Sequence, residues 1–191
     1  MHELIFSNFS MHISLTIAEA EHILSKLEHK TVKKNEVLLN SGEVCRNIYF
    51  VNNGCLRTYN TDVKGEQHNN LFCPENWWCV DITSFSGQNS AFYTIQALED
   101  TDLFYLSYPI LEQLYIDVPK LERFFRILTQ NGYNLQQRRL TSNLSKTAEE
   151  RYAQFQKLYP KLEQRIAQKH IASYLGITPV FLSMIRKNHI S

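Results

Sequence analysis

The residues best equipped for chemistry in this chain are cations, small hydroxyls and an amide grouped at one end rather than nucleophiles. They are Gln168, Lys169, Thr178, Ser183, Arg186 and Lys187, with Pro179, Val180 and Met184 interleaved. Side chains of this kind grip phosphate oxygens and touch base edges. They also sit in a basic segment. Residues 1–137 carry 10 Lys and Arg against 16 Asp and Glu, a net of −6, whereas residues 138–191 carry 10 against 3 (Glu149, Glu150, Glu163), a net of +7. A basic module on an acidic body is the footprint of a surface that approaches nucleic-acid phosphates. A solvated basic helix face would have the same composition, so charge alone does not decide between them.

Other chemistries find little support. Cys45, Cys55, Cys73 and Cys79 form no C-x-x-C pair, and the 7 histidines show no H-x-H or H-x3-H spacing. Buried, reduced thiols are expected, and neither metal ligands nor catalytic residues are assigned. A metal-dependent β-roll enzyme needs clustered His and carboxylate ligands, and His68 stands alone on its strand. An iron–sulfur sensor needs four thiolates at ligand spacing near a terminus. Cys73 and Cys79 could form a redox pair only if the loop between them closes.

Three kinds of element must position the basic end. Residues 14–29 space Leu15, Ile23, Leu24 and Leu27 at helical intervals behind a Ser14 or Thr16 cap. From Thr31 to about Ser107, short runs rich in Val, Ile, Tyr, Phe and Thr alternate with turn signals, which predicts an all-β roll or barrel. Beyond Tyr108 the helical period returns, and Leu121, Leu128 and Leu135 fall seven apart with Phe124 and Phe125 between them. The helix from Pro119 to about Leu144 could span roughly 37 Å. Its apolar seam either pairs two chains or packs on the roll. The fold class is therefore α+β, with 43% hydrophobic residues supplying the core. With no apolar run of membrane-spanning length and no secretory pattern at the N-terminus, the expected location is cytoplasmic, with no membrane partner.

The stretch HIASYLGITPVFLSMIRK specifies two helices and the bend between them. Ile171, Ala172 and Leu175 form the inner face of the first helix, and Gly176 suits a left-handed C-terminal residue. Thr178 can cap the second helix, Pro179 fits its first position, and Leu182 and Ile185 face the first helix. This is a helix-turn-helix, whose second helix presents its N-terminal residues to the major groove.

With these residues the chain resembles the Crp/Fnr family of bacterial regulators. The resemblance also takes in Gly42 (NSGE), Gly54 (VNNGCLRTY), the long central helix and TAEERYAQFQKLYP. It implies a cyclic-nucleotide-binding-like β-roll over residues 1–118, a dimerisation helix over 119–144 and a helix-turn-helix domain over 145–191. The implied function is transcription regulation by a homodimer that binds double-stranded DNA, with a small-molecule effector and RNA polymerase as further candidate partners. The chain ends at Ser191 soon after the second helix, so no winged β-hairpin is expected.

Against that family pattern two departures stand out. Nucleotide-binding members carry a Gly-Glu pair and an Arg-Ser-Ala triplet; here the matching positions read Pro74-Glu75 and Asn89-Ser90-Ala91. Pro74 removes a backbone donor, and the neutral Asn89 cannot reproduce an arginine–phosphate pair, so cyclic AMP is not the expected ligand and no cofactor is assigned. Trp77, Trp78, Phe72, Phe85, Phe92 and Tyr93 either line an altered pocket or belong to the core. On the reading helix the resemblance implies a glutamate at position 180 and an arginine at position 184, where this chain has Val180 and Met184. Each missing bidentate base contact removes about 1–3 kcal/mol of discrimination. The alternative function is a homodimeric ligand-binding or interaction module whose DNA head has lost sequence specificity.

Overall fold

The computed structural model describes the backbone of residues 2–190 and the side chains of residues 2–187; His189 and Ser191 fall outside the described side chains. Two helices open the chain, α1 (Glu3–Ser10) and α2 (Ile17–Lys26). The sequence reading missed α1. Thr16 starts α2 with a reciprocal cap: its hydroxyl accepts from the Glu19 N–H at 3.2 Å, and the Glu19 carboxylate accepts from the Thr16 N–H at 2.7 Å.

Eight strands follow: β1 (Glu28–Val32), β2 (Val37–Leu39), β3 (Asn47–Asn53), β4 (Leu56–Thr61), β5 (Gln67–Cys73), β6 (Trp78–Cys79), β7 (Thr94–Ala97) and β8 (Thr101–Ser107). They form two four-stranded antiparallel sheets in the orders β1-β8-β3-β6 and β2-β7-β4-β5. The run from Thr31 to Leu39 splits in two because Asn35 adopts φ +70° and turns the chain from one sheet to the other. Gly54, at φ +98°, makes the β3–β4 turn possible. A Cβ there would lie 2.6 Å from Thr101 Oγ1 and 2.8 Å from the Asp100 carbonyl. Between β6 and β7 runs α3 (Ile82–Gly87), capped by Asp81, whose Oδ1 accepts from the Ser84 N–H at 3.1 Å.

The helices that follow the roll are α4 (Tyr108–Asp117), α5 (Lys120–Ser145), α6 (Ala148–Leu158), α7 (Gln168–Leu175) and α8 (Pro179–Ile190), with a short 3-10 turn at Leu162–Gln164. Among the described residues no helix is long and apolar enough to cross a membrane.

Here the expected dimer seam needs correction. Leu121, Phe124 and Phe125 are buried within their own chain. Phe124 packs on Phe9 with ring centroids 4.7 Å apart, and Phe125 packs on Trp78 at 5.2 Å. Leu128 adds to the same core, and only Leu135 lies away from it. The seven-residue spacing marks a buried face, and here α1 and the roll cover it. Trp78 is held there by its indole N–H, which donates to Asn8 Oδ1 at 3.0 Å. Trp78, Phe72 and Phe85 are core residues, whereas Phe92 is exposed.

Candidate nucleic-acid interface

The bend between α7 and α8 is built as its residues require. Gly176 adopts φ +67°, and the Ile177 N–H returns to the Ala172 carbonyl at 3.0 Å to close α7. Thr178 Oγ1 accepts from the Phe181 N–H at 3.2 Å and caps α8. Ile171, Ala172, Leu175, Leu182 and Ile185 are all buried between the two helices. Burying Leu182 and Ile185 leaves the opposite side of α8 to solvent, where Val180 is 72% and Met184 50% exposed. Pro179, Lys169 and Lys187 are exposed as well.

Two of the predicted contact residues face each other instead. Ser183 Oγ donates to Gln168 Oε1 at 3.3 Å and ties the start of α7 to the middle of α8. Arg186 is half-buried beside Tyr152, whose hydroxyl donates to Glu163 Oε2 at 2.6 Å. The solvent-facing side of the bend therefore comprises Lys169, Thr178, Pro179, Val180, Met184 and Lys187, with Phe181 at its edge. Its middle is apolar, and cations lie on its flanks.

This module is fastened to the roll. Cys55, Phe72 and Leu98 of the roll share one buried cluster with Tyr152, Phe155, Tyr159, Ile171 and Leu182. Around that cluster runs a polar network. Arg57, only 4% exposed, donates to Gln96 Oε1 at 2.6 and 3.0 Å, Gln67 Oε1 at 2.7 Å and Asn69 Oδ1 at 3.0 Å. Its Nη1 also lies 3.0 Å from His170 Nδ1 on α7. Since Arg57 only donates, His170 accepts and must be neutral. Burial, followed by the charges of Arg57, Lys169 and Lys34, pushes the His170 imidazole down to about 4, which agrees with that role. Ser173 Oγ accepts from the Asn69 N–H at 2.9 Å and donates to the Gln67 carbonyl at 2.7 Å, so α7 adds hydrogen bonds to the edge of β5.

The candidate ligand residues are dispersed. Glu75 Oε1 accepts from the Gly54 N–H at 2.9 Å, and its carboxylate is gripped by both terminal nitrogens of Arg165, at 2.9 and 2.6 Å; Arg165 also pairs with Glu99. Burial pushes the Glu75 carboxyl up, but Arg165 and the Gly54 N–H outweigh it and hold the group below its ordinary value. Asn89 is exposed and uses its carbonyl to accept from Ser84 Oγ, and Ser90 bridges to Val44. Ala91 is buried between the Gly42 N–H and the Glu43 carbonyl, at 2.8 and 2.7 Å. The next two backbone donors, Phe92 and Tyr93 N–H, both point at 3.0 Å to Asp81 Oδ2, a buried carboxylate of the chain itself. The segment Asn89–Ala91 thus carries no arginine, and the two backbone donors after it are satisfied by Asp81.

Sequence reasoning missed Arg57, Asn69, Arg139 and Arg165, because their partners lie far away in the chain. The residue separations are 113 for Arg57–His170 and 90 for Arg165–Glu75.

The comparisons agree with this geometry. The family model described as cyclic nucleotide-binding domain matches residues 29–117. The chain is 32% identical over 130 residues to the transcriptional activator protein FnrA of Stutzerimonas stutzeri, covering 66% of this chain and 51% of FnrA. It is 26% identical over 196 residues to the fumarate and nitrate reduction regulatory protein of Vibrio cholerae, covering 91% of this chain and 74% of that protein. The chain thus spans about half the length of FnrA. Among solved structures, FixK2 from Bradyrhizobium japonicum superposes with a TM-score of 0.76 at 18% identity, over 85% of this chain and 83% of FixK2. A CooA variant from Carboxydothermus hydrogenoformans superposes with a TM-score of 0.71 at 16% identity, over 93% and 85%. A nucleotide-binding-type roll is thus joined by a long helix to a helix-turn-helix module. In sequence and in fold the chain is similar to regulators of the Crp/Fnr family.

Proposed function

We propose that this chain is a homodimeric, DNA-binding transcriptional regulator whose roll does not take cyclic AMP. The supporting observation is α8, capped by Thr178 and anchored through Leu182 and Ile185, so that Val180, Met184 and Lys187 project outward from a basic module. Lys169, Lys187 and the start of α8 grip phosphates, while Val180 and Met184 can contact a thymine methyl but cannot hydrogen-bond a base. Sequence preference is therefore weaker than phosphate affinity. Pairing uses the face of α5 opposite the buried one, where Tyr133, Leu140 and Leu144 are 64%, 57% and 81% exposed. The interleaved Asn89 and Pro74 and the Asp81-held donors argue against a cyclic nucleotide.

The test is a footprint on the DNA upstream of the protein's own coding sequence. Two protected patches centred about 34 Å apart, or a multiple of it, are expected from one dimer per duplex. The L140E/L144E variant should sediment as a monomer and lose both patches together. A dimer that leaves the duplex unprotected at low salt would favour the module with a decayed head.

A further inference from the structure

Where α5 gives way to α6, these helices and the end of α7 enclose an open groove of about 670 Å³, within the size range of small-molecule sites. Its floor is apolar, made by Leu135, Phe155, Leu158 and Leu175. Its walls carry Arg138, Arg139, Lys146, Arg151 and Lys157, and among the described residues no carboxylate lines it. Two of these cations hold a donor that nothing satisfies: Arg139 Nε and Arg151 Nε are shielded from solvent without an acceptor. Buried donors of that kind are rare and call for an explanation.

Neither side chain can swing out easily to find water. Arg139 donates through Nη1 to Asn70 and through Nη2 to the Asn69 and Tyr174 carbonyls, and its guanidinium lies 4.2 Å from the Tyr174 ring centroid. Arg151 Nη1 donates to the Lys146 carbonyl at 2.8 Å. The groove is also separate from the pairing face. Leu135 and Ser142 point roughly 140–160° around α5 from Leu140, so a second copy seated on Leu140 leaves them clear.

We propose that this groove binds an anionic amphiphile, a carboxylate carried on a medium-length acyl chain. The apolar floor covers the chain, and the unsatisfied Arg139 Nε–H and Arg151 Nε–H, with the ammonium groups of Lys146 and Lys157, supply donors and charge for a carboxylate. Free phosphate would satisfy the cations but leave the floor bare. Because α5, α6 and α7 all form its walls, an occupant holds the coupling helix against the reader. That consequence rests on the regulator reading; the binding itself does not.

The experiment is calorimetric titration of the full chain, without DNA, against dodecanoate below its micelle concentration, with butanoate, inorganic phosphate and dodecylammonium as comparison probes. One dodecanoate per chain is expected, with butanoate and phosphate at least about tenfold weaker and dodecylammonium not bound. The K146E/R151Q variant should weaken dodecanoate by about tenfold or more, and K146E/K157E, which alters only exposed side chains, should do the same in a chain of unchanged circular dichroism. No dodecanoate binding, equal binding of phosphate or dodecylammonium, or unchanged affinity in K146E/K157E would overturn the proposal. Because no duplex is present, a failed titration and a failed footprint are separate results.

Discussion

Phe72→Ala is expected to lower the unfolding free energy by about 3–5 kcal/mol, read as a fall in urea midpoint. Phe72 is fully buried at the end of β5, where the roll meets the helix-turn-helix module. Its ring lies 5.4 Å from that of Tyr174, 5.7 Å from Tyr159 and 6.1 Å from Phe155. The backbone on one side is fixed by its ladder pairing with Arg57, so the cavity cannot close from there. The aromatic residues on the other side belong to α6, α7 and the segment after α6. Removing Phe72 should therefore loosen the helix-turn-helix module as well as the core, with faster amide exchange along α7 than along β3. A loss under about 1 kcal/mol would show that the two parts do not share a core.

Acid should act on the same junction through His170. Its folded value of about 4 lies below the ordinary 6.5, so the folded chain binds fewer protons than the unfolded chain between those values. Stability is complete above pH 6.5, falls as pH drops through the window, and stops changing on this account below about 4. Allowing for partial exposure, the loss is about 2 kcal/mol. Burial is the main cause of that sign, and Arg57 at 3.0 Å, with Lys169 and Lys34, adds to it by opposing a second cation. Urea midpoints at pH 7, 6 and 5 should decline in the parent chain and stay nearly flat in H170Q. Paired carboxylates such as Glu75 are held below their ordinary value, so they act mainly at the acid end of this window and below it. Parallel profiles for the two proteins would remove His170 from the junction.

How much of this could be read in advance follows the range of the interactions. The α7–α8 bend depends on neighbours in sequence, namely Gly176, Thr178 and Pro179 and the spacing of Leu182 and Ile185, and each does what its type suggests. The alternating strands were legible for the same reason. The seam on α5 was seen as an apolar stripe but given the wrong cover, because Leu121, Phe124 and Phe125 have the same spacing whether they meet another chain or Phe9 and Trp78. The exposed stripe through Tyr133, Leu140 and Leu144 is sparse and interrupted by polar residues, so it drew no attention. Glu75 was picked out by its match to a ligand residue, yet its partner Arg165 lies on another module. No local pattern announces such a pair. Asp81 was invisible as well, since only the folded loop brings the Phe92 and Tyr93 N–H groups to it.

The account depends on the outward face of α8 and its flanking cations meeting phosphates. The dependence of duplex affinity on salt tests this most directly. Log affinity should fall linearly with log salt, with a slope of about −0.9 for each phosphate neutralised, and Lys169→Gln should flatten it by about 2, one contact from each protomer. Affinity that is insensitive to salt, or a slope that K169Q leaves unchanged along with one from K187Q, would contradict the account.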